Sequence, residues 1–440
     1  MKSESRRRII GPELLALAVA AFACHGSDTQ ISCSPTLTCS LRDARFAPPE
    51  PVDAGPPACD ADRCKATKIA AGRAHTCAIA AAGEFLCWGD DSEGQLGGGA
   101  NNDAGQTPDA LDAGIMPVLE EAKQVAAGGA HSCAIKADGT LLCWGRNADG
   151  EVDGTPSSEP ARRPIAVAVD APTDVAAGDA HTCAVVAKGV VCWGSARFGQ
   201  SGREVSDTAL EPGLVPGTQG AVEVVAGMRH TCARLQSGRV LCWGELIEAG
   251  SEKPQASAEV VAVPGLDDAI ELAAGAGQSC ALREGGAVVC WGANDSGQLG
   301  DGTNDASAKP VAVTGLELSL HVSAGGVEQK GRLVGHSCAL TKSFHVQCWG
   351  RNAEGQLGIG RAPDSATAMV VLGESGEGGD EALLPDVIAI AVGGLHTCAI
   401  DHDGPVRCWG DNAQQQLGQR KGDTPPFGRP VEIRRFGRRR

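Results

Sequence analysis

Seven times along this chain a variant of Ala-Gly-x-x-His-Thr/Ser-Cys-Ala is followed, about ten residues after its Cys, by Cys-Trp-Gly. The tripeptides begin at Cys87, Cys143, Cys192, Cys242, Cys290, Cys348 and Cys408, a period of roughly 50 to 60 residues. Self-similarity at such a period marks an array of supersecondary units that bury their apolar faces on one another. All seven tryptophans lie in these tripeptides and tyrosine is absent. The large apolar anchors are therefore placed once per unit, as the packing of blades or solenoid turns requires.

Each repeat reads as strands. His75-Thr-Cys-Ala-Ile79 and Glu84-Phe-Leu-Cys-Trp88 are short, β-rich and separated by Ala81-Ala82-Gly83, a hairpin signal with Gly at the third loop position. With that Gly left-handed, Cys77 and Cys87 sit directly opposite. The same register holds at Ala137-Asp138-Gly139, Gln236-Ser237-Gly238, Glu284-Gly285-Gly286 and His402-Asp403-Gly404. Repeat six puts Phe344 where Gly is expected, and repeat three, between Cys183 and Cys192, is one residue shorter, so both are expected to use different turns. Upstream of each hairpin lies another pair of strand candidates, such as Ala258 to Val263 and Ala269 to Ala273 on either side of the Pro264-Gly265 turn. Four strands per repeat, 60 glycines and no sustained helical period inside the array predict an all-β, seven-bladed β-propeller of four-stranded blades.

The residues also resemble a known family. Ala273-Ala-Gly-Ala-Gly-Gln-Ser-Cys-Ala-Leu282, followed by Val289-Cys-Trp-Gly-Ala-Asn-Asp-Ser-Gly-Gln-Leu-Gly-Asp-Gly-Thr303, is similar to the regulator of chromosome condensation repeat family. So is Cys348-Trp-Gly-Arg-Asn-Ala-Glu-Gly-Gln-Leu-Gly358. The resemblance covers about residues 67 to 433 and implies a seven-bladed propeller. It does not imply nucleotide exchange or chromatin binding, because the fold hosts unrelated functions. Most repeats have a Pro-x-x-Val-like strand ahead of their Ala-Ala-Gly segment, yet the first begins almost at Lys68-Ile-Ala-Ala-Gly72. Pro430-Val-Glu-Ile433 is therefore expected to sit beside the first repeat and close the ring.

Cysteine usage points to a compartment. Of the 19 cysteines, 14 fall into seven hairpin pairs: Cys77 with Cys87, Cys133 with Cys143, Cys183 with Cys192, Cys232 with Cys242, Cys280 with Cys290, Cys338 with Cys348 and Cys398 with Cys408. Their repeated cross-strand placement argues for disulfides and an oxidising compartment over metal or redox chemistry. Each closes a short loop, for which chain entropy gives about 2.5 to 3 kcal/mol. Four more, Cys33, Cys39, Cys59 and Cys64, allow three pairings, of which Cys33 with Cys39 and Cys59 with Cys64 is the simplest.

The N-terminus agrees with export. Residues 1–23 read as a signal peptide, with Lys2, Arg6, Arg7 and Arg8 ahead of a short apolar run from Leu14 to Ala23 that cannot span a bilayer. Ala21-Phe22-Ala23-Cys24 resembles a bacterial lipoprotein processing site, with Cys24 as the lipidated residue, though it lacks Leu three positions before the Cys. Residues 24–66 form a Pro-, Ala- and Asp-rich tether, expected to be disordered. The propeller spans 67–433, and 434–440 is a basic tail. The chain is thus expected outside the cytoplasm, lipid-anchored to a bacterial envelope or secreted.

Candidate chemistry is sparse. His75, His131, His181, His230, His336 and His396 recur at one position, with Gln278 in the fifth repeat. Gln replaces a hydrogen-bonding His more readily than a metal ligand, so these side chains read as structural. Asp295-Ser-Gly-Gln-Leu-Gly-Asp-Gly-Thr303 lacks the ligand order of an EF-hand. No nucleophile elbow, Walker loop, zinc-protease or dinucleotide motif occurs, and no cofactor, metal or catalytic residue is nominated. The formal net charge of −16 excludes general nucleic-acid binding.

Repeat six differs most. Gly326 to Gly335 separates Ala324-Gly325 from His336 by eight residues more than elsewhere, and carries Glu328, Gln329, Lys330 and Arg332. A second excursion, Gly373 to Leu384, precedes repeat seven and is acidic. Projecting from one face, the two would make a mixed-charge docking edge. The expected function is a monomeric extracytoplasmic binding or scaffold propeller that recognises a protein, or a polysaccharide, through loops at one face, touching membrane only by its N-terminal lipid. The alternatives are an extracellular lyase or hydrolase with a loop-built site and a structural envelope component.

Overall fold

The repeats form seven antiparallel sheets, the blades of one propeller. The computed structural model describes residues 65–81, 83, 85–98, 119, 121–248, 253–373, 383–384, 386–419 and 428–433. All of these lie in one compact unit, Cys59–Arg440. Among the described residues, six sheets have four strands and the first has three. Each blade starts on an inner strand: Ala66–Ala71, Ala122–Ala127, Asp174–Ala177, Ala221–Ala226, Ala269–Ala274, Ser319–Gln329 and Val387–Val392. The chain then passes through the two strands of the cysteine hairpin and, in blades 2 to 7, ends on an outer strand.

This order corrects the expected phase of the repeat. Pro254–Ala262 pairs backward, Val261 facing Cys242, so it completes blade 4, and Ala269–Ala274 opens blade 5. The Pro264-Gly265 turn therefore joins two blades. The same phase decides closure. Val431 pairs with Cys408 and Glu432 with Arg407, so the last strand is the outer strand of blade 7 and pairs with no described strand of the first repeat, although Ile433 packs in one buried cluster with Ala66, Leu86 and Trp88 of blade 1. Blades 7 and 1 meet directly instead: Gly394 N donates to Gly72 O at 3.0 Å, and Trp88 Nε1 donates to Gln416 O at 3.0 Å.

Every hairpin places its cysteines opposite each other, and all fourteen are disulfide-bonded within their own hairpin, with Cα atoms 4.0–4.1 Å apart. The disulfides also fill the core between blades. Cys77 and Cys87 share a buried cluster with Trp144 of blade 2, Cys183 and Cys192 with Trp243 of blade 4, and Cys398 with Cys408 share one with Trp88 of blade 1. Sulfur packs well against aromatic rings, so one ring and one disulfide per junction build seven small cores in place of one large one.

The turn in blade 6 differs from expectation. Phe344 N donates to Thr341 O at 3.0 Å, as Gly139 N does to Lys136 O, and Phe344 takes φ +62 beside the +84 of Gly139. The fold keeps the turn and forces a bulky side chain into the left-handed region, where non-Gly residues are uncommon. Blade 3 does use a different turn, with Val186 facing Gly189.

Candidate partner-binding face

The Ala-Gly pairs end the inner strands at one face and ring the axis. An added Cβ at Gly72 would lie 2.5 Å from Gly128 O, and one at Gly227 equally close to Gly275 O. Neighbouring blades approach there backbone to backbone, with Arg73 N donating to Gly128 O at 3.0 Å and Met228 N to Gly275 O at 3.1 Å. They enclose a cavity of about 80 Å³ on the axis. The Gly-Gln-Leu-Gly loops leave the hairpins at this same end, so it is the loop face; the Cys-hairpin turns define the opposite turn face.

The histidines sit just below. His131 Nε2 is 2.8 Å from Thr182 Oγ1 of the next blade, and His75, His181, His230, His336 and His396 make the same contact onward at 2.8 Å. The Thr182 hydroxyl donates to Glu151 O at 2.6 Å, and Thr231 to Gln200 O at 2.9 Å. A hydroxyl has one proton, so His131 and His181 must donate from Nε2, and their Nδ1 atoms are buried without a partner, as suits a neutral ring. Burial agrees: desolvation depresses His131, His181, His336 and His396 to about 3, and His75 and His230 to about 4. These imidazoles lie on separate blades and act as latches between them. Gln278 does the same work at blade 5, its Nε2 donating to Gly325 O at 2.8 Å.

In several blades the loop after the hairpin completes the latch with a Gln carbonyl. Gln200 O accepts both Thr231 Oγ1 and Trp243 Nε1, the latter at 2.9 Å, and Gln356 O accepts Thr397 Oγ1 and Trp409 Nε1. The Asp-rich loop around it is tied internally, with Asn294 Oδ1 accepting Leu299 N and Asp301 Oδ1 accepting Thr303 N. Among the described residues no group of three or more His, Cys, Asp or Glu could hold a metal ion.

The sevenfold pattern breaks at the blade 6 insertion. The inner strand, Ser319–Gln329, and its neighbour, Arg332–Thr341, continue past the axis as a ladder, Gly326 facing Gly335 and Gln329 facing Arg332. Lys330 and Gly331 form a two-residue turn with φ +52 and +76, the geometry that suits the twist of a tight hairpin. Val327 and Val334 are buried, and Lys330 and Arg332 are exposed at the tip. The hairpin is anchored on both sides. Glu328 pairs with Arg229 of blade 4, which also reaches Glu245 at 3.3 Å and lies 4.4 Å from the Phe198 ring. Arg332 pairs with Asp295 of blade 5 at 2.9 Å.

All four nominated residues, Glu328, Gln329, Lys330 and Arg332, thus share this hairpin at the channel mouth. Its partners Arg229, Phe198 and Asp295 come from blades 3 to 5, and only Asp295 lay in a segment the sequence marked. Asp179 stands near them on the rim; desolvation raises its pKa above the carboxylate norm against the pull of Arg73, Arg146 and Arg229. The described ends of the second excursion lie at the turn face, where 371–373 leaves the outer strand of blade 6 and Leu372 bridges Leu383, while residues 374–382 lie outside the described residues. Cys24, Cys33, Cys39, Cys59, Cys64 and the basic tail lie outside the described residues.

Comparisons agree with this architecture. The RCC1-like domain matches residues 43–329, and the regulator of chromosome condensation repeat matches 387–416. The human E3 ubiquitin-protein ligase HERC2 is 28% identical over 364 residues, which is 80% of this chain and 6% of that protein. The chain thus spans a small fraction of that relative's length. Yeast RCC1 (Prp20), in its complex with Kap60, superposes with a TM-score of 0.63 at 19% identity, covering 80% of this chain and 83% of that one. Human WBSCR16 gives 0.57 at 21% identity, covering 71% and 81%.

Proposed function

The chain belongs to the RCC1-like domain family, and from that premise we propose that it is an extracytoplasmic propeller that binds a protein partner at its loop face, through the blade 6 hairpin. The carrying observation is that hairpin: a two-strand extension at the channel mouth, pinned by ion pairs to blades 4 and 5, which presents Lys330 and Arg332 outward. A rigid scaffold that displays one divergent loop is the usual architecture of recognition. A structural relative, yeast RCC1, has been crystallised with the protein Kap60, which supports binding as the mode of action and says nothing of the partner here.

The seven disulfides support an oxidising compartment. With the signal-like N-terminus they favour export, and Cys24 as the lipid-bearing residue of an envelope-anchored form. The reading is of a monomeric binding protein, not an enzyme: the repeated imidazoles are spent on latches, and polysaccharide is the second partner class. The test is crosslinked affinity capture from host envelope extracts, comparing the mature chain with one in which residues 327–334 are deleted and Gly326 joins Gly335. Loss of the same protein from the deletion sample supports the reading. An unchanged set of captured proteins, with the deletion chain still folded and fully disulfide-bonded, overturns it.

A further inference from the structure

Most inner strands open with a β-bulge at the turn face. The register slips between Ala221 and Glu223, Ala269 and Glu271, Ser319 and His321, and Val387 and Ala389, leaving Val222, Ile270, Leu320 and Ile388 as the extra residues. A bulge leaves its extra residue out of the ladder, and these four are 41–47% exposed. The equivalents in blades 1 and 2 are Thr67 and Lys123, so the backbone does not demand an apolar side chain there. Four consecutive blades carry one nonetheless.

Phe344 extends this crescent. It is 50% exposed at φ +62, where the other blades with this turn place Gly. Strain held at an exposed aromatic side chain is a sign of use. With Leu320, His321, Leu340, Ile388 and Ala389 it lines a cavity of about 340 Å³ between blades 6 and 7, a volume within the range of ligand sites. Exposed carboxylates surround the crescent: Asp267, Glu284, Glu317 and Asp386. Of the cations beside it, Arg239 is exposed, Lys342 is engaged with Gly285 O at 2.9 Å, and Arg234 and Arg283 are paired with Glu223 and Asp268. On the same face, blades 1 to 3 carry exposed Lys68, Lys123 and Lys188, balanced by exposed Glu121, Asp138 and Asp170. The crescent is therefore the apolar and net acidic part of this face.

We propose that this crescent is a second docking site, for a polypeptide segment that presents a large apolar side chain among lysine or arginine residues. The apolar side chain enters the cavity beside Phe344, and the flanking cations face the carboxylates. An acidic apolar segment would lose the ionic contacts, and a cationic segment without a large apolar side chain would leave the cavity empty. The site is on the opposite face from the blade 6 hairpin and does not depend on it.

The test uses the mature chain and three labelled amphipathic peptides of one helical pattern, Leu with Lys, Leu with Glu, and Ser with Lys, followed by fluorescence anisotropy. The variant combines Phe344→Gly, Leu320→Thr and Ile388→Thr, residues that other blades already carry at these positions. The Leu/Lys peptide is expected to bind the parent and to weaken about tenfold or more on the variant, a loss of about 1.4 kcal/mol or more. The Leu/Glu and Ser/Lys peptides are expected to bind far more weakly to both. Phe344→Gly alone should retain all seven disulfides and melt no lower than the parent, which separates lost docking from lost fold. Equal Leu/Lys affinity for parent and variant would overturn the proposal, since the attraction would then come from net charge alone. Equal binding of the Leu/Glu peptide would overturn the stated chemistry. Self-association of the parent in sedimentation, abolished in the variant, would show that a second copy covers the crescent instead.

Discussion

The Nε2 atom of His396 lies 2.8 Å from the hydroxyl of Thr76, 320 residues away in sequence. The same latch joins blade 2 to blade 3 through His131 and Thr182, but here it joins the last blade to the first. Among the described residues, closure of the ring is therefore a side-chain and backbone junction like the others, with no strand shared between blades 7 and 1. Thr76→Val keeps the shape and leaves a buried imidazole N–H unpaired, which costs about 1–3 kcal/mol. The expected result is a lower denaturant midpoint, similar in size to that of Thr182→Val. A neutral Thr76→Val beside a damaging Thr182→Val would mean that the latch contributes nothing at the closing junction.

Acid should weaken the propeller before it titrates ordinary carboxylates. Six latch histidines are held neutral by desolvation at pKa values of about 3 or 4, against 6.5 when exposed. Between those values the unfolded chain binds protons that the folded chain refuses, so stability is full above pH 6.5 and falls as pH drops toward 4. Asp174, raised by desolvation to about 6, and Glu151, raised to about 7, work the other way, because the folded state holds their protons longer. Asp179, Glu223, Asp401 and His321, also raised, add to that opposition, but the six imidazoles are each depressed from 6.5 to about 3 or 4, and the net slope is expected to be positive. Urea titrations at pH 7 and pH 5 check this: a midpoint that does not fall at pH 5 would contradict neutral, buried latches.

Much of this fold is periodic and so was open to reading. A cysteine pair across a short turn and a Trp just after the second Cys repeat seven times, and they set the hairpins, the disulfides and the number of blades. The partner of each outer strand was not readable, because Pro264-Gly265 has the composition of a hairpin turn whether it joins strands of one blade or of two. The turn at Phe344 was misjudged for a different reason: propensity disfavours the left-handed region, and the surrounding ladder overrides it. The bulged Val222, Ile270, Leu320 and Ile388 were hidden because a bulge interrupts the two-residue alternation that would mark their face. At the loop face the insertion stood out by length alone. Its anchors did not, since Arg229 and Phe198 sit in other repeats with nothing in their neighbourhood to mark them.

Reduction should act blade by blade. Each disulfide closes one hairpin and packs at a junction, as Cys232 and Cys242 do against Trp291. Replacing both by Ala removes a loop constraint of about 2.5–3 kcal/mol and some sulfur packing. The Cys232→Ala, Cys242→Ala chain is expected to lose at least that much stability while still folding. Non-reducing peptide maps of the parent should show the seven within-hairpin pairs. A linkage such as Cys77 to Cys133 would refute the hairpin assignment outright.

The blade 6 hairpin should open when its anchor on blade 4 is cut. Arg229 contacts both Glu328 and Glu245 and lies over Phe198, so it ties the hairpin, its own blade and blade 3 together. Arg229→Ala removes the charge and the stacking but touches no latch, since His230 still meets Ser279 at 2.8 Å. Global stability should change little, because partly exposed ion pairs contribute about 0–1 kcal/mol. The local effect should be larger: amide exchange at Val327, Glu328 and Leu333 is expected to accelerate, while exchange in the cysteine hairpins stays at the parent rate. Arg332→Ala, which cuts the anchor to Asp295, should loosen the other flank in the same assay. Unchanged exchange in both variants would show that Val327 and Val334, buried beneath the hairpin, hold it without help from the ion pairs. Its rigidity would then come from apolar packing at the channel mouth, and recognition through Lys330 would survive the loss of either anchor.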